Sequence, residues 1–155
     1  ITQGMQPIAG YNYGAQQYYR VNEVLKLAIW GAAAITTFTF LVGELIPELT
    51  VSIFTTDGGL ISRAAEGFRI AVLVFPIVGF QMVTSNFFQS IGMANKAIFL
   101  SLTRQLLFLL PCLIILPKFM GAAGIWWSMP ISDFLASMVA AVLLYKQYQA
   151  FKNKL

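Results

Sequence analysis

Four apolar runs, each long enough to cross a bilayer as a helix, leave this chain few ways to fold. They cover residues 25–47, 67–92, 97–117 and 122–145, and roughly 20 mostly apolar residues span about 30 Å of hydrocarbon as an α-helix. Residues 1–14 read as the end of a fifth helix. Strands do not fit, because membrane barrel strands alternate apolar and polar residues over about 10 positions, whereas these runs are continuous. Composition points the same way: of 155 residues, 58% are hydrophobic and only 10% charged. That is too little charge to solvate a water-facing surface, and too short a chain to hide so much apolar area in a soluble core. The expected fold class is all-α: a polytopic membrane helical bundle of four complete transmembrane helices plus one partial, with the lipid bilayer as its solvent.

The connections are polar or rich in turn residues. Residues 16–23 join the partial helix to the first complete one. Residues 48–66 form the longest link and contain Thr55-Thr56-Asp57-Gly58-Gly59, with 49–54 placed as an extension of the preceding helix before the Asp-Gly-Gly turn. Residues 93–96 and 118–121 are short enough to make antiparallel hairpins. Counted on alternate sides, Arg20, Lys26, Lys96, Lys146, Lys152 and Lys154 face Arg63, Arg69 and Lys118, the latter accompanied by Glu44, Glu48, Asp57 and Glu66. Basic residues favour the cytoplasmic side, so the C-terminus is expected in the cytoplasm, in a plasma membrane of bacterial inner-membrane type. The net charge of +4 is this bias; the bases are dispersed, and no nucleic-acid partner is expected. The sequence opens at Ile1 without a signal peptide, and it reads as the C-terminal part of a larger protein.

Enzyme chemistry finds no footing. The chain has no histidine, and its single cysteine, Cys112, lies mid-helix beside Pro111, where a packing role is expected. There is no P-loop, dinucleotide fingerprint or nucleophile elbow. No metal or cofactor is expected.

What remains is a short list of polar groups at membrane depth. Asp133 lies midway along its run, where an ionised carboxylate costs at least a few kcal/mol and must face protein, water or a partner. Arg104, on the preceding run, is within reach of it, and the two are expected to pair, as a brace between helices or as part of a substrate or proton path. Gln81, Ser85 and Gln89 recur every four residues and so share a helix face. With Asn86 they either line an aqueous path or join helices by hydrogen bonds. Pro76 and Pro130 each remove a backbone hydrogen bond inside an apolar run and are candidate hinges. Gly10 and Gly14 have the G-x-x-x-G spacing that admits a close helix neighbour. Trp126 and Trp127 are placed as interfacial anchors.

The segment Gln6-Pro7-Ile8-Ala9-Gly10-Tyr11-Asn12-Tyr13-Gly14-Ala15, followed by Arg20-Val21, resembles a signature of the multidrug and toxic compound extrusion (MATE) family, with Gln6, Pro7, Tyr11, Asn12 and Gly14 as its marks. Further matches are colinear: Ile53-Phe54-Thr55-x-Asp57, Arg69-Ile70 through Gln89-Ser90-Ile91-Gly92, Ser101-Leu102-x-Arg104-Gln105, Gly124-Ile125-Trp126 and Pro130-Ile131-Ser132-Asp133. The resemblance implies most of the C-terminal lobe of a twelve-helix, two-lobe transporter, with the N-terminal lobe as partner outside these residues. It implies an antiporter in which proton or sodium entry drives export of amphipathic, often cationic, drug-like molecules by alternating access. Some family branches use an acid on the tenth helix; here the stretch from Arg69 to Gly92 holds amides and hydroxyls instead, so the coupling ion is expected in the other lobe. The alternatives are a flippase for lipid-linked saccharides from the wider superfamily, which would call for more bases along the cavity, and a non-transporting membrane scaffold.

Overall fold

The computed structural model describes residues 1–153; Lys154, counted above among the cytoplasmic bases, lies outside them. Among the described residues eight α-helices follow one another: α1 (Thr2–Gly14), α2 (Tyr18–Leu45), α3 (Pro47–Ser52), α4 (Gly58–Val72), α5 (Phe75–Ser90), α6 (Ala94–Leu102), α7 (Leu110–Met120) and α8 (Ala122–Lys152), with a π-helical segment, Thr103–Leu109, joining α6 to α7. Three continuous helical stretches among the described residues are long and apolar enough to cross a membrane, and α4 and α5, bent by 53° at their junction, are so only when taken together, as a broken span or a re-entrant loop. The membrane bundle read from the apolar runs is therefore present, and no strand occurs among the described residues.

The element limits differ from those expected in ways proline explains. The run 67–92 is not one helix. It starts nine residues earlier, at Gly58, where the Asp57 side chain accepts from the backbone N–H groups of Gly59 and Leu60 and caps α4. It then breaks after Val72, the residue whose carbonyl would need the N–H that Pro76 lacks. Pro76 sits in the first turn of α5, where a missing donor is harmless. Pro47 likewise opens α3 instead of closing α2, so 49–52 belongs to a separate short helix and 53–54 lie beyond its end. By contrast α8 runs unbroken through Pro130 to Lys152, past the expected end at 145. Its added turns carry Gln147 and Phe151, a buried i, i+4 pair.

Packing is concentrated at one end of the bundle. Met5 and Ala9 of α1, Val21 and Leu25 of α2, Phe87 and Phe88 of α5, Leu100 of α6 and Ala140 and Phe151 of α8 form the buried core. Phe151 stacks on Tyr18 at 5.1 Å between ring centroids and meets Phe87 edge-on at 6.5 Å. Lys96, in the first turn of α6, closes this end by donating to Gln147 Oε1 at 2.8 Å, with its ammonium 5.2 Å from the Phe88 ring. The tight turns on either side of α6–α7 each use a glycine in the left-handed region, Gly92 (φ 76°) and Gly121 (φ 59°). Elsewhere Leu27, Trp30, Ile35, Phe38 and Leu41 of α2 point outward, in keeping with a hydrocarbon surround.

Close approach is selective. A methyl group at Gly10 would meet the Ser90 carbonyl at 2.8 Å, so α1 lies against the end of α5 at that point, while Gly14 has open space around it. Only half of the G-x-x-x-G pair is a packing contact. A methyl at Gly67 would fall 2.3 Å from the Trp126 indole. Trp126 is thus a packing residue of the α4–α8 contact, beyond the anchoring expected of it.

Candidate functional site

Arg104 and Asp133 meet. Arg104 Nε donates to Asp133 Oδ1 at 2.6 Å, with the arginine side chain 30% and the aspartate side chain 11% exposed. It is the one ion pair among the described residues. The local geometry that permits it is the π-helical segment. Leu110 N–H bonds to Gln105 O, five residues back, in place of the usual four. Pro111, with no N–H to offer, follows immediately and denies Leu107 its α-helical donor. The widened turn carries Arg104 at its start. Asp133 is held from the other side on α8, where Ser132 and Ser137 tie their hydroxyls to the backbone carbonyls of Met129 and Asp133 and leave the carboxylate for the arginine.

The arginine borders a polar recess. Gln81, Ser85 and Asn86 of α5, Ser101 of α6 and Arg104 and Gln105 of the π segment surround a cavity of about 140 Å³. Ser85 and Ser101 also line an adjoining cavity of about 330 Å³ that reaches Gln89. Gln81, Ser85 and Gln89 therefore do share a face, and it is a face with space in front of it. Ser85 bridges the two helices, its hydroxyl lying 3.3 Å from both Ala97 O and Ser101 Oγ. Asn86 donates to Met82 O at 2.8 Å and accepts from Gln6 Nε2 at 3.3 Å, which brings α1 to the same recess. The stripe both lines a cavity and joins helices.

The sequence does not single out three of these residues as site members. Gln6 stands there only as a family mark, and Ser101 and Gln105 only as part of a motif. Ser101 and Gln105 stand four apart, with Thr103 and Arg104 between them in a largely apolar run, and that spacing is the signal that finds them. The remaining marks lie elsewhere. Tyr11 is exposed, Gly14 faces open space, and Pro7 sits within α1. Asn12 is buried, with Nδ2 donating to Ile8 O and Oδ1 without a partner among the described residues. Pro76 stands at the α4–α5 bend and Pro130 is buried within unbroken α8.

A multi-span helical bundle with a polar, charge-bearing recess at membrane depth has the build of a membrane transporter. The family model described as MatE matches residues 1–115. The chain belongs to that family, whose members are multidrug efflux transporters and not enzymes. It is similar to the multidrug export protein MepA of Staphylococcus aureus (strain N315), with 22% identity over 145 residues, 94% of this chain and 32% of that protein. Among solved structures, the MATE multidrug transporter DinF-BH superposes with a TM-score of 0.90 at 39% identity, covering 97% of this chain and 34% of that one. The Vibrio cholerae MATE transporter VcmN in its bent form shares the fold, with a TM-score of 0.86 at 18% identity, covering 97% of this chain and 34% of that one. The chain spans about a third of the length of the relatives it matches.

Proposed function

We propose that these residues form most of one lobe of a cation-coupled antiporter that exports amphipathic, cationic drug-like molecules by alternating access. The observation that carries this reading is the recess itself. Amides, hydroxyls and a half-buried guanidinium gather at membrane depth around open space, where hydrocarbon would make each of them costly unless water or a solute enters. The bent α4–α5 span beside it is the kind of discontinuous helix that transporters use around a midplane site. The likeness to MepA and to DinF-BH, described respectively as a multidrug export protein and a multidrug transporter, supports export of drugs. Gln81, Ser85, Asn86 and Gln89 offer hydrogen bonds to a passing solute, Arg104 and Asp133 set the charge of the recess, and Pro76 and Pro130 are the places where helices would flex. The absence of a carboxylate on α5 favours the partner lobe as the place where the coupling proton or sodium binds. The C-terminus faces the cytoplasm of a bacterial inner membrane.

Dye efflux by the full-length protein in a pump-deficient bacterium tests this reading. Ethidium should leave cells in a gradient-dependent way, and collapsing the proton and sodium gradients separately identifies the ion. Normal expression without efflux of any cationic dye overturns the antiporter reading in favour of a flippase for lipid-linked saccharides.

A further inference from the structure

A second cavity lies away from the recess and has a different chemistry. Helices α2 and α8 both pack on α5 but scarcely touch each other, so a furrow runs between them with α5 as its floor. In this furrow is a cavity of about 280 Å³ walled by Phe80, Phe87, Ile29, Ala141 and Leu144, an almost wholly apolar lining. At its end nearest the start of α2 and the finish of α8 the lining turns polar, with Asn22, Lys26 and Tyr148. Those same three residues border a larger cavity, about 730 Å³, which also touches Arg20, Glu23 and Asn12. The apolar slot therefore adjoins a cavity of mixed lining, and Lys26 borders both.

The charges of that chamber are unevenly satisfied. Lys26 and Arg20 form no ion pair or hydrogen bond among the described residues. The one acid, Glu23, faces the Tyr19 hydroxyl on its own helix. Asn12 adds a buried acceptor, Oδ1, with no partner among the described residues. Lys26, bordering both cavities, and Arg20, on the larger one, are free cations that complement a phosphate carried on a hydrocarbon chain. Basic pockets between transmembrane helices at the headgroup level are suited to anionic lipid heads.

We infer that the α2–α5–α8 furrow is a binding site for an anionic phospholipid, with an acyl chain in the apolar slot and the phosphodiester at Lys26 and Arg20. The lipid is of the phosphatidylglycerol class, whose headgroup carries the phosphodiester charge and no cation to repel Lys26 and Arg20. This inference does not depend on what the protein transports.

Native mass spectrometry of the full-length protein, released from detergent with equal phosphatidylglycerol and phosphatidylcholine, reads it directly. Wild-type protein should retain phosphatidylglycerol at least about tenfold over phosphatidylcholine, as about 1 kcal/mol from each of two bases near an anionic head provides. Lys26→Gln with Arg20→Gln should remove most of that preference, and Ala141→Phe, which fills the slot, should lower retention of both lipids. Lys146→Gln, an exposed base outside the lining of either cavity, should change nothing. Equal retention of the two lipids by wild-type protein overturns the inference without recourse to any variant. So does a preference unchanged in the Lys26/Arg20 double variant, or one that Lys146→Gln reduces as much.

Discussion

Removing one member of the Arg104–Asp133 pair should cost far more than removing both. The bond is 2.6 Å long and joins an aspartate side chain only 11% exposed to an arginine side chain 30% exposed. A hydrogen bond to a charged group contributes about 1.5–3 kcal/mol, and a charge stranded in a buried site adds its desolvation cost. Because Arg104 retains some access to the recess, the single variants Asp133→Leu and Arg104→Met should each lose about 2–3 kcal/mol. The double variant, with two apolar side chains of similar bulk in contact, should lose less than about 1 kcal/mol, as apolar replacement of buried pairs commonly does. The assay is reversible unfolding of the full-length protein in mixed micelles, run as a double-mutant cycle. These losses imply a coupling energy of about 3–5 kcal/mol, more than about a 100-fold change in the folding equilibrium. A coupling energy below about 0.5 kcal/mol would refute the claim that the pair is a structural unit. Transport adds a second reading. If the pair is only a brace, the stable double variant pumps; if the charges serve substrate or ion handling, the double variant folds and does not pump.

Three further outcomes follow from geometry. Gly67→Ala drives a methyl into the Trp126 ring and should cost about 1–3 kcal/mol by overpacking, with much of it recovered by Trp126→Leu; thermal stability of the single and double variants checks this. Gly10→Ala should destabilise by about 1 kcal/mol or more because a backbone carbonyl cannot yield as a side chain can, whereas Gly14→Ala should be neutral or slightly stabilising through helix propensity. Asp57→Ala removes the cap of α4 and should cost about 1 kcal/mol, read as faster amide exchange at the start of that helix than in α8.

Solvent and secondary structure follow from the order of residues alone. Apolar runs of bilayer length admit helix and little else, and scarce charge excludes water as the surround; that argument needs no tertiary information. It also requires that Asp133 face protein, water or a partner, since a lone carboxylate in hydrocarbon is too costly, and it offers Arg104 as the base within reach. Local chemistry is legible in part: Asp57 ahead of two glycines reads as a turn, while its role as the cap of a helix that begins at Gly58 shows only in the structure. The three-dimensional arrangement decides the rest. Whether Pro76 or Pro130 breaks its helix depends on where each falls in a turn and on what packs around it, and the period of the sequence carries neither fact. Pro76 marks a 53° bend, and Pro130 lies buried in a helix that continues. The π segment before Pro111 follows from backbone bonds that no apolar pattern encodes, yet it sets where Arg104 stands. Gln6, Ser101 and Gln105 join Gln81, Ser85 and Asn86 only because α1, α5 and α6 converge. The lipid furrow is likewise a gap between α2 and α8, and a gap is a property of packing, fixed by which helices touch and which do not.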